Sequence, residues 1–169
     1  MAVVGISDAR PEHAPVHEEG RIRASRLEGA IGIEITGLHL DDASQDEVDA
    51  IGRLVSEHCV GVFPSQHLEA RGQLDFVARL GPLMMTPGED AHPDWPDIQI
   101  VKNRGAAGAL VSGPFHTDTC FVAEPPSYSS LNAVTVPSHG GDTVFVSQYA
   151  AYDTLSPVMQ SWLEGVRFK

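Results

Sequence analysis

The sequence predicts an α+β domain built around a β-sandwich or jelly-roll core. Three observations point there. Two segments with helical apolar spacing, near residues 45–58 and 68–80, are interleaved with short strand-like runs in the first half. Between residues 97 and 147 come several strand-like runs with no helical segment between them. A Gly-Gly turn at Gly140-Gly141 separates the last two. Alternating strands joined by turns favour antiparallel packing over a doubly wound parallel sheet. The 169 residues are one domain by length, or part of a larger one, and 42% apolar content is enough for a core.

Residues 1–22 carry His13, His17, Glu18, Glu19 and two prolines without periodicity, which predicts a mobile or loosely docked segment. Pro15 lies between the two histidines and argues against the shared helix face that a metal pair at that spacing needs. Ile31, Ile33 and Ile35 alternate with polar neighbours and predict a strand. Ser44 and Glu47 have capping-box spacing, and Val48, Ile51, Leu54 and Val55 then recur at helical spacing to about His58. "CVGVF" at 59–63 reads as a short buried strand closed by Pro64. A second helix over Leu68–Leu80 would present Leu74, Val77 and Leu80 on one face and stop at Gly81-Pro82. Residues 87–96, with three prolines and three acids, read as loop, and "DIQIVK" at 97–102 as a strand. The glycine-rich stretch 103–114 reads as a flexible loop and a candidate lid. Further strands are expected at 115–122, 127–136 and 143–147. The last segment reads helical, restarting at Ser156-Pro157, where proline suits a first helical turn.

The net charge of −12 excludes nucleic-acid binding through a general electrostatic footprint and disfavours an anionic membrane surface. A small anionic substrate stays open, because a local pocket can differ from the overall field. Cys59 and Cys120 sit in apolar runs and are expected to be buried, reduced thiols. The N-terminal apolar run is too short for a signal peptide, and no run is long enough to span a membrane, so the expected location is cytoplasmic.

The chemistry concentrates in "FHTDTCF" at 115–121. With 8 His and 12 Asp in the chain, chance placement gives about 0.6 His-x-Asp matches. There are three: His39-Leu40-Asp41, His92-Pro93-Asp94 and His116-Thr117-Asp118. The second lies in a proline-rich loop. In the first, Asp41 and Asp42 read as acids of a turn entering a helix. Only the third lies inside a strand-like run, where residues two apart share a face and would aim an imidazole and a carboxylate at one point. On periodicity alone the pair also reads as a polar stripe on a half-buried strand. With a second imidazole, such a pair makes the 2-His-1-carboxylate triad of non-haem Fe(II) oxygenases.

At this point the chain resembles the taurine dioxygenase (TauD/TfdA) family of Fe(II)/2-oxoglutarate-dependent dioxygenases. "GAIGIEITGLHL" is similar to that family's first strand, and "VSEHCVGVFPSQHL" to a helix followed by a strand ending in Phe. "FVARLGPL" is similar to its second helix with the Gly-Pro stop. "FHTDTCF", Pro125-Pro126 and "PSHGGDTVFVSQYAAYDTLSP" follow its central block in order and spacing, so the likeness runs from about Arg26 to Lys169. The resemblance implies a double-stranded β-helix (jelly roll) with flanking helices, residues 23–169 being its N-terminal part. It implies His116 and Asp118 as Fe(II) ligands and Thr143 as a hydroxyl donor to 2-oxoglutarate, the co-substrate. Asp142 is then expected to serve the turn, Cys120 to fill space beside the iron, and Phe115 and Phe121 to pack.

The family's distal histidine and its 2-oxoglutarate-binding arginine have no counterpart here, since His139 and Arg167 come too early. The expectation is therefore a partial chain, cut before the closing strands and inactive alone. The implied activity is hydroxylation of a small organic substrate with O₂. The alternative is a non-catalytic or dimer-dependent short relative acting as a binding module, which leaves homo-oligomerisation open.

Overall fold

A computed structural model describes residues 2–4, 15–84, 91–101, 115–136, 138–139 and 142–167. In chain order the elements are β1 (Ala2–Val4), β2 (His17–Glu19), β3 (Ile22–Arg26), β4 (Ile33–Thr36), α1 (Gln45–His58), β5 (Val60–Val62), α2 (Ala70–Leu80), β6 (Ser129–Leu131), α3 (Gln148–Asp153) and α4 (Pro157–Glu164). A single 3₁₀ turn at Leu40–Asp42 leads into α1. The six strands form one sheet in the order β2-β3-β4-β5-β1-β6. β2, β3 and β4 pair antiparallel, whereas β4, β5, β1 and β6 pair parallel. The parallel step from β4 to β5 uses α1 as its crossover, the usual solution for joining parallel neighbours.

Helix α1 begins where the capping box requires. Ser44 Oγ accepts from the Glu47 backbone N–H at 3.3 Å, and Glu47 Oε2 accepts from the Ser44 N–H at 2.8 Å. These two bonds satisfy donors that have no partner inside the helix. Val48, Ile51, Leu54 and Val55 are buried and pack with Ile33 and Ile35 of β4 and Ile22 and Ala24 of β3. Each large apolar side chain buried this way contributes roughly 1.5–3 kcal/mol. Gly61 keeps the layers close, since a Cβ there would come within 2.7 Å of Val55 Cγ2 and 3.1 Å of Phe63 Cε2. Helix α2 adds Phe76, whose ring meets Phe63 edge-on at 6.3 Å. Leu68, Val77 and Leu80 pack partly buried around it. Gly81 ends α2 in extended backbone, the conformation favoured before Pro82, while its N–H still reaches Val77 O at 3.3 Å.

Two strands lie within residues 1–22. β2 folds back on β3 through Gly20, at φ 57°, and Val16 N donates to Ala24 O at 2.8 Å. β1 inserts between β5 and β6. Neither strand is visible in apolar periodicity, because each is three residues long and backbone pairing holds it.

Beyond residue 96 the expected strands are largely replaced. Within 97–101 there is one isolated bridge, Ala91 to Gln99. Residues 115–122 form bends and a turn. Of 127–136 only β6 is a strand, and it pairs parallel with β1 where antiparallel neighbours were expected. Residues 143–147 form no strand. Alternating β-branched residues can line a pleated face, but they become a strand only beside a ladder partner. Among the described residues Val134, Val136, Val144 and Val146 have none, and all four are exposed. The expected lid at 103–114 and the Gly140-Gly141 turn lie outside the described residues. Helices α3 and α4 form with Ser147 and Ser156 as N-caps and Pro157 opening α4, and neither helix contains a buried residue.

Candidate metal centre

His116 and Asp118 converge through a turn, not a strand. His116 Nε2 lies 3.2 Å from Asp118 Oδ1. The chain turns at Asp118–Phe121, and Val122 N donates to Thr119 O at 3.4 Å. Thr119 sits in left-handed backbone at φ 51° and is buried. A β-branched residue there costs roughly 1–2 kcal/mol, a kind of strain that collects at functional sites. Strand alternation predicts that these two side chains meet, and they do so through a turn instead.

Two neighbours grip the turn from distant parts of the chain. Ser129 Oγ, on β6, donates to Asp118 Oδ2 at 3.1 Å. Gln148 Nε2, the first residue of α3, donates to Thr117 Oγ1 at 2.6 Å. Both His116 and Asp118 remain open to solvent, with 69% and 55% of their side-chain surface exposed. An imidazole nitrogen and a carboxylate oxygen are a donor set that suits Fe(II). Two such donors at about 2.1 Å and a right angle from one ion lie about 3.0 Å apart, close to the separation seen here. The pair fits two positions of such a centre. Among the described residues no group of three His, Cys, Asp or Glu side chains completes it.

Thr143 is exposed and makes no side-chain hydrogen bond among the described residues. It lies five residues before Gln148, whose side chain bonds Thr117 between His116 and Asp118. No described contact joins Thr143 to His116 or Asp118. Cys120 is exposed in the turn and Cys59 is half-buried, both as free thiols, so neither is the buried thiol expected and Cys120 is not a packed filler. Phe115 and Phe121 are 68% and 76% exposed and do not pack, because the turn directs them outward where a strand would have covered one face. His139 Nδ1 lies 3.0 Å from Ser138 Oγ, and Arg167 Nη1 donates to Glu164 O and Val166 O. The other His-x-Asp matches are local structure. His92 Nδ1 accepts the Asp94 backbone N–H at 3.1 Å, and His39 precedes the 3₁₀ turn that holds Asp41.

The family model for the taurine catabolism dioxygenase TauD, TfdA family matches residues 23–167. The chain belongs to the TauD/TfdA family. Among curated TauD/TfdA relatives, the α-ketoglutarate-dependent sulfonate dioxygenase of Saccharomyces cerevisiae is 31% identical over 85% of this chain and 38% of its own length. The α-ketoglutarate-dependent 2,4-dichlorophenoxyacetate dioxygenase of Cupriavidus pinatubonensis is 34% identical over 82% of this chain and 53% of its own. The α-ketoglutarate-dependent sulfate ester dioxygenase of Pseudomonas putida is 35% identical over 75% of this chain and 42% of its own. The chain thus spans between two fifths and about half of these relatives. No helix among the described residues is long and apolar enough to cross a membrane.

Ser129 and Gln148 could not be picked out from local pattern. Their partners lie 11 and 31 residues away, and a serine in a strand or a glutamine opening a helix carries no signal of its own.

Proposed function

We propose that this chain carries two of the metal ligands of an Fe(II)/2-oxoglutarate-dependent dioxygenase that hydroxylates a small anionic organic substrate. The observation that carries the reading is the 3.2 Å approach of His116 Nε2 to Asp118 Oδ1, exposed to solvent, in a TauD/TfdA chain. The relatives' names supply the substrate class, since sulfonates, sulfate esters and aryloxyacetates are all small organic anions. The overall reaction converts substrate C–H, O₂ and 2-oxoglutarate into substrate C–OH, succinate and CO₂. The double-stranded β-helix is part of the same proposal, supported by family membership and by the α+β composition.

In this reading His116 and Asp118 hold Fe(II), which when bound supplies oxygen activation. The protein's own work among the described residues is to position. Asp118 keeps Oδ1 beside the imidazole, and Ser129 takes its other oxygen. Gln148 steadies the intervening Thr117. Thr143 offers a hydroxyl to a carboxylate of 2-oxoglutarate, supported by its exposure and free side chain. The third donor of the triad comes from outside the described residues, in this polypeptide or a second copy.

The test is anaerobic titration with Mn(II) as a redox-stable stand-in for Fe(II), followed by succinate release with Fe(II), O₂ and a panel of sulfonates, sulfate esters and aryloxy acids. His116→Ala and Asp118→Ala should each lose most Mn(II) affinity and any succinate release. Equal affinity in both variants and the wild type would overturn the assignment.

A further inference from the structure

We propose that Ser129 is a positioning residue of the metal centre: its hydroxyl holds Asp118 Oδ2, so that Oδ1 alone is presented beside His116 Nε2. The inference rests on the metal-ligand reading above and adds a residue to it. An aspartate carboxylate is nearly free to turn about its last bond, and its torsional wells there are broad. Asp118 sits in an exposed turn, so packing does little to limit that rotation. One hydrogen bond does the limiting: Oδ2 receives the Ser129 hydroxyl at 3.1 Å, which leaves Oδ1 on the side of His116 Nε2, 3.2 Å away. An oxygen already accepting a hydrogen bond is the poorer donor to a metal, which favours one-oxygen ligation through Oδ1 over chelation by both.

Ser129 is suited to this by its place in the fold. It is paired in register with Ala2 on β1, so its hydroxyl is carried by sheet backbone while the carboxylate is carried by a turn. The neighbouring Ser130 projects to the other face, as strand alternation requires, and its Oγ accepts from Gln73 Nε2 of α2 at 3.2 Å. Two adjacent serines thus serve opposite sides of β6: Ser130 ties the strand to a helix, and Ser129 ties it to the ligand turn. Partners of metal-binding carboxylates commonly cost 10- to 100-fold in metal affinity when removed, roughly the effect expected here.

The experiment is a Co(II) titration of the 169-residue chain, followed by visible absorption, on wild type, S129A, S129T, S130A and D118A, with thermal unfolding of each metal-free protein. S129A should bind Co(II) roughly 10- to 100-fold more weakly with a changed absorption band, S129T should restore both, and S130A should titrate like the wild type. If S129A titrates like the wild type while D118A loses binding, the inference falls and the metal-ligand reading stands. If D118A binds as the wild type does, the metal-ligand reading itself falls and takes the inference with it. Equal weakening in S129A, S129T and S130A, alongside lowered unfolding temperatures, would mark Ser129 as merely structural and overturn the proposal.

Discussion

Gln148 Nε2 donates to Thr117 Oγ1 at 2.6 Å and so ties the start of α3 to the middle residue of the His116–Asp118 turn. The bond crosses 31 residues of sequence at an exposed site. Water can replace it, so its net contribution is about 0.5–1.5 kcal/mol. Gln148→Ala should therefore leave the global unfolding temperature almost unchanged while loosening the turn. Amide hydrogen exchange across residues 115–122 should quicken several-fold. Unaltered exchange there would show that the turn holds without α3.

Arg21 binds Glu47 through two hydrogen bonds of 2.9 Å, and donates to Asp42 Oδ1 at 3.0 Å and to the Asp42 backbone O at 3.2 Å, joining the β2–β3 turn to the start of α1. The Arg21 guanidinium, with help from the Ser44 backbone N–H, holds the Glu47 carboxyl down at about 2, from an ordinary 4.5. Because the folded value lies below the unfolded one, the stabilisation is complete above about 4.5 and is lost as the pH falls toward about 2. Glu47→Gln keeps a side chain able to cap Ser44 and removes the charge. The stability gap between wild type and E47Q, from thermal unfolding between pH 7 and pH 2, should be widest near neutrality and close at the acid end. A gap that widened with acid would contradict this.

Gly37 stands at φ 92°, and a Cβ there would run into the backbone carbonyl oxygen of Arg21. Gly29, at φ 116°, has open space around the same position. Gly29→Ala should cost about 1–2 kcal/mol from backbone conformation alone. Gly37→Ala adds a clash with backbone that cannot swing aside, and about 2–4 kcal/mol is expected. Urea denaturation of the two variants compares them directly, and equal losses would mean that the β3–β4 contact can open without penalty.

Phe76 is the one fully buried residue of α2 and meets Phe63 edge-on. Phe76→Ala should destabilise the fold by about 3–5 kcal/mol, since the rigid β5–α1 layer cannot collapse into the space. Val77→Ala, on a partly buried neighbour, should cost less. Chemical denaturation that ranked the two in reverse would place the α2 contact elsewhere.

The first half of this protein was legible because its signals are local. Ser44 and Glu47 meet within one helical turn, the apolar positions of α1 recur on one face, and Gly81-Pro82 interrupts α2 at the backbone itself. The second half was read poorly because strands are not local. The valines at 134, 136, 144 and 146 have strand-like spacing, yet among the described residues they have no ladder to join and stay exposed. β1 and β2 were missed for the converse reason: three residues of backbone pairing need no apolar pattern.

For the candidate site, sequence by itself determined which residues are the candidate ligands. His116 and Asp118 are neighbours in the chain, so their chemical type and spacing can be read directly, and the family motif that contains them is continuous. Only the tertiary structure decided how they meet. A left-handed Thr119 turns the chain where a strand was expected, and Ser129 and Gln148 reach in from 11 and 31 residues away to grip the turn. Hydrogen bonds across such separations leave no periodic trace, because each depends on where the sheet and α3 come to lie.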